Sequence, residues 1–236
     1  MGNCDQESER RQVDAPGLNL FLSRIYEYMA LAVFISAISA YLTMTVFARS
    51  FASFIAAHQW EVWLLILLPI ALTFIISFRA TRNPVASFAL LMITAIVYGV
   101  TFAFLAEAYS GHNVASAFVA SATVFIIMAI IGTITKKDLS RIGSYASAAL
   151  IGLIVAMVIN LFLHNSIIDY IFSTIAVIIF TILTAWDAQR MKNIYLRYGG
   201  DISTNGLAVL GALQLYLDFV NLFLQFLDIF SASESN

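Results

Sequence analysis

The chain has 236 residues, of which 61% are hydrophobic and only 11% charged, with a mean hydropathy of +0.89. That balance excludes a soluble domain and a nucleic-acid-binding surface, and the net charge of −2 says nothing about partners. About 20 apolar residues cross a bilayer as one helix, so the question becomes how many such stretches there are and what interrupts them.

In chain order, residues 1–22 form a polar tail without the apolar core and small-residue cleavage site of a signal peptide. Its start, Met1-Gly2-Asn3-Cys4, only partly fits a lipidation signal, because Gln6 stands where Ser or Thr is wanted. The single Cys4 excludes an internal disulfide. Seven apolar spans follow, at 25–47, 60–78, 85–106, 114–134, 142–163, 167–189 and 206–230, within a membrane domain 23–231 and before a short tail 232–236. The predicted fold is an all-α bundle of seven transmembrane helices. Strict alternation of the kind a membrane β-barrel needs is absent. Eleven of the 12 Lys and Arg fall before the first span or in alternate connections, and only Arg49 falls on the other side. This places the N-terminus in the cytoplasm and the C-terminus outside.

The chemistry that the sequence does not support is informative. There is no His-Glu-x-x-His, no nucleophile elbow and no phosphate-binding glycine loop. The histidines, His58, His112 and His164, sit near outer span ends, and the lysines, Lys136, Lys137 and Lys192, lie in connections rather than within a span. A retinal Schiff base or other covalent catalysis is therefore not expected, and neither is an enzyme or a resident cofactor.

Asp218 breaks the last span near its middle. An ionisable group in hydrocarbon costs at least about 2.5–3.5 kcal/mol on insertion scales and needs a partner or a wet path. It belongs to a stripe: Gln214, Asp218, Asn221, Gln225 and Asp228 are spaced by four, three, four and three residues and share one sector of the helix. Interhelical hydrogen bonding and an ion path account equally well for Gln214 and Gln225, whereas charge and depth favour a functional role for Asp218. The sixth span ends in Thr184-Ala185-Trp186-Asp187-Ala188-Gln189-Arg190. Asp187 is either an interfacial acid paired along the helix with Arg190 or, if the last two helices pack antiparallel, a neighbour of Asp218. Two carboxylates in contact cannot both ionise cheaply, so such a pair would sense pH without any histidine. Arg79, ending the second span, is the candidate counter-cation. Arg82, before Asn83-Pro84, reads as a loop residue, and topology signalling explains either arginine. Glu61 and Glu107, near outer span ends, are explained by surface solvation rather than by gathering cations.

Three stretches carry a resemblance: Leu215-Tyr216-Leu217-Asp218-Phe219-Val220-Asn221-Leu222-Phe223, Trp186-Asp187-Ala188-Gln189 and Lys136-Lys137-Asp138-Leu139-Ser140. With them the chain resembles the transmembrane Bax-inhibitor-motif family in its bacterial form. The resemblance implies a bundle with the last helix at its centre, and a pH-sensitive calcium leak across the bilayer. It implies that Asp187 and Asp218 share a hydrogen-bonded arrangement linked to Arg79; the mechanism expected from the residues has calcium passing transiently over the aspartates and on along Gln214, Asn221, Gln225 and Asp228. In this reading calcium ions and protons are transported or sensed. The chain departs from the family's more continuously basic segment by reading Arg79-Ala80-Thr81-Arg82. Two other classes use the same features differently. A proton-coupled transporter would show saturable, substrate-coupled flux. A non-conducting regulator of a membrane protease or death-pathway partner would not depend on Asp218.

Overall fold

The computed structural model describes residues 15–57, 59–106, 109–163, 166–198 and 203–234. The lipidation motif with Cys4, and the residues Arg10, Arg11, His58, Glu107 and His164, lie outside them, as does the side chain of Glu61. The described residues form eight helices: α1 Ala15–Thr45, α2 Ala48–Ala57, α3 Gln59–Arg79, α4 Pro84–Ala106, α5 Gly111–Ile134, α6 Ser140–Leu163, α7 Ser166–Tyr198 and α8 Thr204–Glu234. Six of these, α1 and α4 to α8, are long and apolar enough to cross a bilayer. The remaining predicted span coincides with α3, whose described apolar part, Leu67–Arg79, is shorter than a crossing. The short helix α2 was not expected from the sequence; it occupies the connection that holds Arg49.

Helical periodicity sets what each span buries. On α1 the buried positions Phe21, Ile25, Met29, Ala32 and Ser36 recur every three or four residues and form one stripe. The opposite faces of these helices carry Phe34, Phe78, Ile126 and Phe162, all exposed, as lipid-facing surfaces are. The last helix differs. In α8, 72% of the most apolar stretch is buried, against 17% to 33% in the other five spans. It packs against α7, α5, α1, α4 and, at one end, α3, while α6 leans on α7.

Three helices also outrun the predicted apolar spans at the end of the bundle that collects the cations. α1 begins at Ala15, α7 runs on to Tyr198 and α8 starts at Thr204. Hydropathy alone stops each of them short, yet their polar extensions pair with one another. Phe21 stacks on Tyr195 at 4.8 Å, Arg24 donates to Asn205, and these contacts keep the extensions helical.

Two further devices hold the bundle. Ser36 Oγ lies 2.7 Å from the Tyr216 hydroxyl and donates within 2.9 Å of the Ala95 carbonyl oxygen, tying α1, α4 and α8 at one buried point. On the other side, Gly132 of α5 lies against the backbone of Ala185, and Gly143 of α6 lies against the Trp186 ring. A side chain at either glycine would collide with α7, so Gly132 lets α5 approach the α7 backbone and Gly143 leaves room on α6 for the Trp186 ring.

Candidate functional site

The seam between α7 and α8 carries the candidate residues. The hairpin is antiparallel, its two helices joined through residues 199–203. Residues equally far from that connection therefore face each other. Asp218 is the fifteenth of the 31 residues of α8, and Asp187 sits at the matching level of α7. Both are buried, Asp187 at 9% and Asp218 at 5% exposure. Their side chains lie within hydrogen-bonding reach of each other. A hydrogen bond between two carboxyl groups needs a proton on one of them, so the contact itself is a proton-holding unit.

Counter-charge comes from the same helix rather than from α3. Arg190 Nη1 is 3.8 Å from Asp187 Oδ1, an ion-pair distance too long for a hydrogen bond. The guanidinium also lies over the Trp186 ring, 5.3 Å from its centroid, and its side chain is 45% exposed. A pair of this kind contributes little stability, but it sets the local field at Asp187. Arg79 is not brought to the aspartates. It is exposed, and the turn that follows it, Ala80-Thr81, packs against Gly206 near the start of α8. Asp218 is twelve residues further along α8, about 18 Å at 1.5 Å per residue, well beyond the reach of an arginine side chain at the level of Gly206. The spacing of sequence motifs says nothing of this axial offset.

The rest of the stripe divides into a tied C-terminal end and a bare middle. Asp228 Oδ1 accepts a hydrogen bond from the Tyr109 hydroxyl at 2.7 Å, and Ser173 of α7 hydrogen-bonds the same carboxylate. Asn221 spends its amide on its own helix, donating to the Leu217 carbonyl oxygen at 2.8 Å. Gln214 Oε1, Gln225 Oε1, Asp187 Oδ1 and Asp218 Oδ2 are buried acceptors without a hydrogen-bond partner. An uncompensated buried acceptor costs about 1–3 kcal/mol. Four of them along one seam are more than packing alone calls for, and each is an acceptor with room for a hydrogen bond.

Two contributors were missed in the sequence. Tyr109 lies between two spans and belongs to no periodic pattern, and Ser173 is one hydroxyl among many in α7. Tyr109 titrates above the ordinary tyrosine range because of burial first, then its hydrogen bond to Asp228 and the charge of that carboxylate. The sixth-span motif does more than was read from it. Gln189 Nε2 donates to the Lys137 carbonyl oxygen, and Gln189 Oε1 accepts from Leu139 N, both at 2.8 Å. It thereby fastens the Lys136-Lys137-Asp138-Leu139-Ser140 connection to α7, one helical step from Asp187. Among the described residues, no group of three or more His, Cys, Asp or Glu gathers as a ready-made metal cage.

Comparison with known proteins gives a consistent picture. The sequence model of the family described as "Inhibitor of apoptosis-promoting Bax1" matches residues 18–235. An uncharacterized membrane protein of Streptococcus pyogenes serotype M3 is 37% identical over 218 residues, covering 92% of this chain and 95% of the relative. A Rickettsia prowazekii protein is 34% identical over 208 residues, 88% of this chain and 87% of its own length. A Deinococcus radiodurans protein is 40% identical over 166 residues, 70% of this chain and 72% of its own length.

Proposed function

The chain belongs to the Inhibitor of apoptosis-promoting Bax1 family, and from that premise we propose that it is a pH-sensitive calcium leak controlled by the Asp187–Asp218 pair. The observation that carries this reading is that two buried carboxyl groups on neighbouring membrane helices lie within hydrogen-bonding reach of each other. In this reading α3 completes seven crossings around a central α8, with the N-terminus cytoplasmic and the C-terminus outside, as the distribution of Lys and Arg favours. Bacterial relatives support reading the membrane as a bacterial one, the inner membrane where there are two.

The proton held between Asp187 and Asp218 is the control element. With it, the two carboxyl groups attract and hold the adjoining faces of α7 and α8 together. Without it, two like charges are left in contact away from bulk water, where their repulsion is several times stronger than in solvent. Arg190 offsets part of that charge. Arg79 joins the pair only in an arrangement that shifts α3 along α8. A change in charge moves the helix faces at this level and opens or closes access to the acceptors at Gln214, Asn221, Gln225 and Asp228. Calcium takes six to eight oxygens when it resides in a site; two carboxyl groups offer fewer, which suits passage rather than storage.

Calcium entry into liposomes holding the purified protein, followed from pH 5 to 8 beside Asp218→Asn, tests the reading. A pH-dependent flux that is lost or made indifferent to pH in the variant supports it. The same profile in both proteins removes the pair from the mechanism, and well-folded protein without flux points to a non-conducting regulator of a membrane partner.

A further inference from the structure

Two cavities that the aspartate pair does not use meet at the basic end of α5. The first, about 710 Å³, is a groove between α1 and α5 floored by Phe219 of α8. It runs from Phe118 to Thr133, fifteen residues or about 22 Å of helix, more than the roughly 15 Å of one leaflet. Its wall is apolar apart from two hydroxyls at the basic end, where Tyr26 and Thr133 lie 3.0 Å apart. Exposed Phe34, Ile126 and Ile130 flank it, so its mouth faces the hydrocarbon.

The second cavity, about 520 Å³, begins where the first ends: Ile134 lines the groove and Thr135 the cavity. Lys136, Lys137, Lys192 and Arg197 face it, with Asp138 the lone carboxylate. Asp138 is held below the usual carboxylate range by its hydrogen bonds from Ser140 and by the nearby Arg197 and Arg141, so it stays ionised and three positive charges remain in excess. The rim is built, not merely charged. Gln189 pins the connection through Lys137 and Leu139, and Lys192 Nζ donates to the Thr133 carbonyl oxygen at 2.8 Å, keeping two further N–H donors for a ligand.

We infer that these two cavities are one site for an anionic phospholipid, its acyl chain in the α1–α5 groove and its phosphate headgroup among Lys136, Lys137, Lys192 and Arg197. Charge complementarity selects the headgroup: lysine and arginine clusters at the membrane surface attract anionic lipid, and an apolar groove opening on the same point takes the tail of the same molecule. A topology signal needs positive charge but no cavity, and a site for free phosphate needs no groove. The site is separate from the calcium reading, and its test does not depend on flux.

The test is lipid retention by the full-length protein in detergent, measured by mass spectrometry during titration with phosphatidylglycerol or phosphatidylcholine of the same chains, with inorganic phosphate as competitor. The expected result is one retained phosphatidylglycerol, weakened roughly 30-fold by the double change Lys137→Gln and Arg197→Gln, at about a fivefold loss per cation. Ala30→Phe, at an exposed position that lines the groove, weakens it as well, whereas Lys137→Arg preserves it. If the double variant is not monodisperse, Lys136→Gln at an exposed position gives the same reading with a smaller loss. Equal retention of both lipids overturns the proposal. So does full displacement by inorganic phosphate together with unchanged binding in Ala30→Phe, which would describe an anion site alone.

Discussion

Asp218 and Asp228 stand ten residues apart on the same face of α8, and the protein treats them in opposite ways. Asp228 is met by two neutral donors, the Tyr109 hydroxyl and Ser173. Asp218 is met by a second acid, and each carboxyl group keeps one oxygen without a hydrogen-bond partner. The same side chain in the same helix is thus a fastening at one end of the seam and a proton-dependent contact near its middle. The partner separates the two as well as depth: donors satisfy a carboxylate at any pH at which it is ionised, whereas another carboxyl group satisfies it only while a proton is shared.

Changes at the two positions sharpen the contrast. Asp187→Asn has the largest expected effect: an amide donates to Asp218 without any shared proton, so the contact persists at every pH. Liposome calcium flux should lose its pH response while the variant remains monodisperse and keeps its melting temperature within a few degrees; a pH profile like that of the parent breaks the comparison. Tyr109→Phe comes next. It removes one hydrogen bond to a charged group, worth roughly 1.5–3 kcal/mol, and lowers thermal stability while leaving the pH response of flux in place. Because folding raises the Tyr109 pKa above its ordinary value of 10.0, the contribution of this group is fully present below about pH 10 and fades only as pH rises through the higher folded value. Melting temperatures of parent and variant should therefore differ by a constant amount from pH 5 to 8. Asp138→Asn is the smallest. The folded pKa of Asp138 is depressed, so its contribution is present above the unfolded value of about 4 and is lost as pH falls through the folded one. Its replacement leaves the pH dependence of stability between 5 and 8 unchanged, and a changed slope there would show that the connection, and not the aspartate pair alone, responds to pH.

Much of the seam was legible in the sequence, because helical periodicity is local. Spacings of three and four put Gln214, Asp218, Asn221, Gln225 and Asp228 on one face, and a short connection made α7 and α8 antiparallel, which brings Asp187 to Asp218. The fastening at Asp228 was not legible, since Tyr109 lies 119 residues away in the chain and nothing local marks it. The placement of Arg79 failed for a related reason. A motif gives the end of a helix on which a residue sits, but the axial shift between α3 and α8 is set by the contact of Ala80 and Thr81 with Gly206. Hydropathy likewise cut α1 and α7 short, because their extensions are held by contacts such as Phe21 on Tyr195 and not by transfer to lipid.

The glycine contacts at Ala185 and Trp186 bear on how a change at the next residue, Asp187, spreads. Gly132 lies directly on the Ala185 backbone and Gly143 directly on the Trp186 ring, so α7 has little slack toward α5 or α6 at that level. It cannot be pushed sideways by repulsion at Asp187 without carrying both with it. Across the seam, the Ser36–Tyr216 bond couples α8 to α1 and α4 in the same manner. Under the proposed control by pH, a single proton at the boundary acts on two three-helix slabs rather than on two side chains, and the lever it works through spans six helices.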